Sequence, residues 1–291
     1  MTKSFKVAGH IFSLTITDDS PLWNELGQYA PFLVENVPDP VFSLSLSDSL
    51  PEGERTLVLD PPVEDGETVV RLFRQGDGWY VEMSPYNRIP TVAGLWISHD
   101  FSKAVMKMMP GCGRHALFAI NNSMMLVFAF RTACMGTLEM HASVIKCDGR
   151  AFLFLAKSGT GKSTHSSLWL KHVPGSELLN DDNPVVRVWP DGRIICYGSP
   201  WSGKTPCYKN DEAPAGAFVR IRRCAENKIE RLDIFNSYAS LYSSSSGFKA
   251  DRTMAEGLHS TFEAVAMNVP CYVLDCRPDE EAAKVCSEAV L

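Results

Sequence analysis

Positive charge is scarce in this sequence. Against 34 acidic residues stand 28 lysines and arginines, a formal net charge of −6 over 291 residues. Nucleic acids and anionic membranes need a basic face, so neither is expected as a partner. The nine cysteines are odd in number and form no C-x-x-C pair. That argues against a thiolate metal centre and against a complete disulfide framework; reduced, mostly buried thiols are expected instead. An unbroken apolar run of membrane-spanning length is also missing, because the longest tract, 116–130, is interrupted by Asn121, Asn122 and Ser123. Its apolar residues recur at Leu117, Ile120, Met124, Val127 and Phe128, the spacing of a buried amphipathic helix, and the tract reads as too short and too polar for a membrane span. Met1-Thr2-Lys3-Ser4-Phe5 leads into alternation rather than an apolar signal core, which points to a cytoplasmic protein. No internal repeat is present, which excludes a solenoid.

The chain divides by pattern into a β-rich accessory region of unknown role, 1–112, and a nucleotide-binding part, 113–291. In the first, 5–7, 11–16 and 41–46 read as strands, the last with Phe42, Leu44 and Leu46 on one face. Residues 69–73 and 79–83 flank Gln75-Gly76-Asp77-Gly78, a hairpin signal. The acidic stretches Glu52-Gly53-Glu54-Arg55 and Glu64-Asp65-Gly66-Glu67 read as solvated turns. A helix over 114–133 then leads into apolar strands alternating with helices, the pattern of an α/β core. Strands are expected at 138–146, 151–156, 177–180, 185–189, 194–198, 217–222 and 271–275, and helices at 233–242, 254–267 and after Arg277-Pro278. The Ser243–Ser246 run reads as a flexible loop. The fold class is α/β, α+β overall: a β-rich N-terminal region followed by a core with a mixed sheet and flanking helices.

The strongest local signal is Ala156-Lys157-Ser158-Gly159-Thr160-Gly161-Lys162-Ser163-Thr164. It follows the apolar run Ala151-Phe152-Leu153-Phe154-Leu155 and precedes a helical segment, so strand, glycine-rich turn and helix come in the order of a phosphate-binding loop. Gly159 and Gly161 let consecutive N–H groups curl into an anion nest, and the helix dipole points at the same place. Lys162 adds a full charge, and the Ser163 hydroxyl can ligate magnesium. Ser158, Thr160 and Thr164 complete the cradle. Ala156 stands where the general pattern has glycine, which is compatible with a negative φ at the strand end.

Further chemistry is expected at Leu178-Leu179-Asn180-Asp181-Asp182, two acids at the end of an apolar strand. Strand neighbours point to opposite faces, so one can orient magnesium or its water while the other accepts a proton from a substrate hydroxyl. A hairpin turning at Gly149 would bring His141 to the phosphate site. Gly198-Ser199-Pro200-Trp201-Ser202-Gly203-Lys204 is a second glycine loop, in which Lys204 could reach a transferred phosphate and Trp201 could stack or simply pack. Arg220, Arg222 and Arg223 read either as a basic wall or as an ordinary alternating strand. The remaining histidines, His165 among them, read as structural or surface residues.

Together, His141 with its strand, the Ser158–Ser163 loop and the Asp181-Asp182 strand end resemble the HPr kinase-like family, whose nucleotide-binding core is related to that of phosphoenolpyruvate carboxykinase. The likeness spans about Leu138 to the C-terminus. It implies ATP and Mg2+ as cofactors, with His141 and Lys162 in the active site, Asp182 as proton acceptor, Ser163 on the metal and Asp181 as its indirect partner. It also implies a possible homo-oligomer. A Leu-Glu-Ile-Arg-Gly-like signature beyond the aspartates is not found, and the Gly198–Lys204 loop occupies that part of the chain. The expected activity is ATP/Mg-dependent phosphoryl transfer to a hydroxyl of a protein, peptide or small molecule, serine foremost. A carboxykinase-like small-molecule enzyme and a nucleotide-binding regulatory protein without turnover are the alternatives.

Overall fold

The computed structural model describes residues 1–62, 68–203, 205–249 and 251–291. The chain forms two compact units, Met1–Arg131 and Thr132–Leu291. The turn expected at Glu64–Glu67 and the loop residue Lys204 lie outside the described residues.

The first unit contains β1 (Thr2–Val7), β2 (His10–Thr15), α1 (Leu22–Glu25), β3 (Leu33–Val34), β4 (Ser43–Leu46), β5 (Arg55–Leu59), β6 (Val69–Gln75), β7 (Gly78–Ser84), β8 (Ala93–Ile97), β9 (Lys103–Met108) and α2 (Ala116–Thr132). Its sheet runs β3-β1-β2-β4-β9-β8-β7-β6-β5. The β6–β7 hairpin forms where Gly76-Asp77 predicts it, with Gln75 paired to Gly78. Phe12, Phe42 and Phe128 are fully buried, Phe12 stacking on Phe42 at 5.1 Å and meeting Phe128 of α2 edge-on at 5.7 Å. Ile120, Met124 and Val127 of the same helix are fully buried as well.

Two readings of this region change. The helical stretch Gly113–Met135 is, by length and a mean hydropathy of 1.3, apolar enough to cross a membrane, contrary to the reading from its broken apolar tract. What speaks for a core helix is its packing, since half of that stretch is buried inside the structure and its buried face packs on the sheet. Packing also places this helix with the first unit, whereas the pattern boundary at 112/113 assigned it to the second. Arg55, read as part of a solvated turn, starts the edge strand β5; its guanidinium lies 3.3 Å from the Tyr80 ring centre and donates to Gln75 Oε1 at 2.8 Å.

The second unit is α/β. It comprises β10 (Thr137–Glu139), β11 (Ala142–Cys147), β12 (Arg150–Leu155), α3 (Lys162–His172), β13 (Glu177–Asp182), β14 (Val185–Val188), β15 (Ile194–Tyr197), β16 (Glu212–Arg223), β17 (Lys228–Arg231), α4 (Ile234–Tyr242), α5 (Arg252–Asn268), β18 (Cys271–Cys276) and α6 (Glu280–Val290). The sheet order is β10-β14-β15-β16-β12-β11-β13, with β18 pairing β16 and β17. Strands β12, β16 and β18 run parallel, and the remaining pairings are antiparallel. β12 is apolar from Ala151 to Leu155, where it is buried on both faces. Phe152 and Phe154 pack with Trp169 of α3 and with Ala282, Ala283 and Cys286 of α6. None of the nine cysteines forms a disulfide.

The segment 138–146, expected as one strand, is two. β10 pairs with β14 and β11 with β12 and β13, so the chain changes partners at Met140-His141. The serine run is not a free loop either. His141 N donates to Ser244 O at 2.7 Å, Ser246 N donates to Glu139 O at 2.9 Å, and Met140 forms an isolated bridge with Ser245. These bonds satisfy the backbone groups that the break in the strand would otherwise leave unpaired.

Candidate active site

The hairpin turn Asp148-Gly149, both at positive φ, folds β11 back on β12 and pairs Ala142 with Leu155. His141 therefore stands opposite the start of the phosphate loop, as the Gly149 turn predicts. On its other side β11 pairs Ala142 with Asp182 and Ser143 with Asp181. The strand that starts directly after the histidine thus borders the loop's own strand and holds the acidic strand end in register.

The loop leaves β12 at Ala156, which is buried and outside the left-handed region, while Gly159 (φ +72°) and Gly161 (φ +124°) lie in it. Any other residue would be strained at those two positions. Helices α4, α5 and α6 are capped by Asp233, Asp251 and Asp279, each accepting from a first-turn N–H. Helix α3 begins after Gly161 with no side-chain cap and no acid in its first turn. Its free N–H groups and positive dipole end are thus available to an anion.

Three side chains converge on the loop. Lys162 Nζ lies 2.8 Å from His141 Nε2 and 3.3 Å from Ala156 O. The same Nε2 lies 3.1 Å from Asp182 Oδ1. Ser163 Oγ donates to Asp181 Oδ1 at 2.9 Å. A cleft of about 330 Å³ is lined by His141, Ser158, Gly159, Gly161, Lys162, Ser163, Thr164, Asp181, Asp182 and Gly203. Thr160 faces an adjoining cleft of about 480 Å³ that shares Gly161 and Thr164 and has Leu168, Ile221, Cys276 and Pro278 on its walls. The structure gathers every described residue of the predicted site. Lys204 alone lies outside the described residues.

The electrostatics follow from partial burial. Desolvation pulls the Lys162 ammonium below the usual lysine range, against the charges of Asp182 and Asp181 and with Arg220 adding to the depression. Burial pushes the Asp182 carboxyl up, but the hydrogen bond and charge of His141, the charge of Lys162 and the Asn183 amide outweigh it and hold it below the ordinary carboxylate range. Strict strand alternation would send Asp181 and Asp182 to opposite faces, yet both line the cleft. Asp182 sits at φ +120°, which breaks the alternation. A non-glycine residue there is strained by about 1–3 kcal/mol, a feature concentrated at functional sites.

The second glycine loop supports this conformation. Gly203 N donates to Asp181 O at 2.6 Å, Ser202 Oγ lies 2.9 Å from the same oxygen, and Ser202 bridges Asp182. A Cβ on Gly203 would lie 2.9 Å from Asp182 Cβ, so only glycine fits beside the acid. Trp201 is buried and packs rather than offering a stacking platform. His165 is a core residue: it accepts from Trp169 Nε1 at 3.1 Å, and burial pulls it down to about 4.

The arginines of β16 divide their roles. Arg223 donates from Nε to Thr160 O at 2.9 Å and from Nη2 to Gly159 O, bracing the phosphate loop from outside. Arg222 forms a two-point ion pair with Asp275, each bond 2.7 Å. Arg220 turns to the serine run. Sequence reasoning could not separate these roles, because the partners of Arg223 lie more than sixty residues upstream. Glu139, which it passed over, is 2% exposed with neither carboxyl oxygen hydrogen-bonded. Its only signal was an acid inside an apolar strand.

Oxygen donors meet the needs of a hard cation: Ser163 Oγ and Asp181 Oδ1 stand together at the cleft, and phosphate oxygens and water would complete the shell. Among the described residues no group of three or more His, Cys, Asp or Glu side chains could hold a metal by itself. The arrangement therefore suits a cation that arrives with a phosphate ligand. No family model matches the chain, and no curated protein is similar to it. Among solved structures the chain is similar to the HPr(Ser) kinase/phosphatase from Coxiella burnetii, with 11% identity over 52% of this chain and 95% of that one and a TM-score of 0.30, a distant structural relationship.

Proposed function

We propose that the second unit is an ATP- and magnesium-dependent phosphotransferase whose acceptor is a hydroxyl, with a serine of a protein or peptide the first candidate. The observation that carries this reading is the hydrogen-bonded series Asp182–His141–Lys162 facing the phosphate loop, with Ser163–Asp181 beside it. The loop N–H groups and Lys162 hold the phosphates and neutralise charge that builds on them in the transition state. Ser163 and Asp181 would hold Mg2+, which supplies charge neutralisation on the phosphate oxygens. Asp182, kept ionised by His141 and Lys162, accepts the proton of the attacking hydroxyl. The adjoining apolar-walled cleft takes the nucleoside.

His141 Nε2 cannot donate to Asp182 and accept from Lys162 at once. As a donor it orients the Asp182 carboxylate, and as an acceptor it takes the Lys162 bond instead. Calorimetric titration with MgATP, followed by transfer of the labelled γ-phosphate to a serine-peptide library, tests the reading. Tight magnesium-dependent binding with no transfer, and no slow hydrolysis, would favour the regulatory alternative.

A further inference from the structure

Arg220 is the partly buried β16 arginine without a carboxylate partner; Arg223 likewise meets only carbonyl oxygens but is exposed. Its Nε donates to Ser240 Oγ at 2.7 Å, and its Nη2 meets Ser240 O, Ser243 Oγ at 2.9 Å and Ser244 Oγ at 2.7 Å. All of these acceptors are neutral. Among the described residues no carboxylate pairs with Arg220, and Nη1 has no hydrogen-bond partner. The side chain is half-buried, and desolvation pulls it below the usual arginine value. A partly buried cation without a counter-charge is costly unless something outside the chain supplies one.

The space for that counter-charge is present. A cavity of about 330 Å³ is lined by Arg220, Arg222, Asn236, Ala239, Ser240 and Ser243, among others. Asp275 neutralises Arg222 alone, so the cavity keeps one net positive charge; the Ser243 hydroxyl donates to Ser240 O and the Asn236 amide to Asp233, which leaves Arg220 Nη1 and the Ser240 hydroxyl to face a ligand. A guanidinium with an unused nitrogen, beside a hydroxyl group, suits the geometry of an oxyanion. We propose that this cavity, at the C-terminal half of α4, binds a small oxyanion group, phosphate or carboxylate, separate from the phosphate loop. The serine turn that holds Arg220 also holds His141 through Ser244 O, which places the site one hydrogen bond from the catalytic cleft.

The proposal stands apart from the nucleotide reading, and its test keeps the two distinct. Full-length protein saturated with Mg2+ and a non-hydrolysable ATP analogue, so that the phosphate loop is filled, is titrated calorimetrically with inorganic phosphate and separately with acetate. One saturable site is expected, and the preferred anion identifies the group. Ala239→Glu places a carboxylate at the cavity mouth from an exposed helix position, leaving the bonds of Arg220 untouched. It is expected to weaken binding roughly ten-fold or more, with unchanged thermal unfolding. Arg220→Gln is expected to abolish binding. No binding of either anion to wild type in the millimolar range, or binding unchanged in both variants, overturns the proposal. If the analogue itself does not bind, the same titration on Lys162→Ala protein reads this site alone.

Discussion

His141 Nε2 and Asp182 Oδ1 stand 3.1 Å apart, although His141 lies in the break between β10 and β11, Asp182 ends β13 and forty residues of chain separate them. The contact exists because β11 and β13 pair with Ala142 opposite Asp182. It joins the acid to Lys162 through a single ring nitrogen, and the functional consequences below follow from it.

Asp182→Asn keeps the shape of the side chain and removes the carboxylate proposed as proton acceptor. Phosphoryl transfer should fall by about 10²–10⁴-fold while MgATP affinity changes only a few-fold. Single-turnover transfer and calorimetry on the same preparation check both halves, and transfer at the wild-type rate would show that the base is misassigned.

Ser163→Ala should separate metal from nucleotide. The variant loses the oxygen beside Asp181, so the gain in ATP affinity on adding Mg2+ should shrink, while affinity without Mg2+ stays close to wild type. Binding titrations with and without Mg2+ read this directly.

Gly203→Ala should push on the Asp182 side chain, since its Cβ would lie 2.9 Å from Asp182 Cβ. Transfer is expected to drop ten-fold or more from misplacement of the base, with nucleotide affinity largely kept. Equal losses of binding and transfer would place the effect at the phosphate loop instead.

Asp182→Gly should trade function for stability. Glycine accepts φ +120° without strain, so relief of about 1 kcal/mol is available against the loss of a partly exposed ion pair. Urea denaturation should show the inactive variant at least as stable as wild type, and a clear loss of stability would show that the backbone there is not strained.

Glu139 sets a pH dependence of stability. Burial pushes its carboxyl from 4.5 up to about 8, with the charge of Asp182 adding. Between those values the folded protein keeps a proton that the unfolded chain has released. Its contribution is therefore unfavourable as pH rises, costing about 1.4 kcal/mol per unit across that window and levelling above it. Glu139→Gln removes the dependence. The variant should gain on wild type in denaturation midpoint from pH 5 to pH 8, and parallel profiles would mean that Glu139 is not held neutral.

The strand, glycine turn and helix at 151–172, the acidic strand end and the β6–β7 hairpin were legible because each is written in adjacent residues. Glycines at Gly159 and Gly161, an apolar strand before them and a helix after them follow from backbone sterics and side-chain period alone. The edge strand β5 was not legible. It is exposed along its whole length, so it has no buried face to impose alternation. The break at Met140-His141 was hidden for the opposite reason, since Leu138, Met140, Ala142 and Val144 keep up a regular alternation through it that carries no mark of where the partner strand changes.

By itself, then, the sequence determined that a glycine-rich turn opens a helix and that two carboxylates end a nearby strand, because these depend on local torsions and spacing. Tertiary structure alone decided that His141 links Lys162 to Asp182, that Gly203 shapes the acid's strained backbone, that Arg223 braces the loop, and that Arg220 is left without a counter-charge. Each of those depends on strand register and on which loops meet at the sheet's edge. Such pairings are non-local, and no spacing in the chain records them.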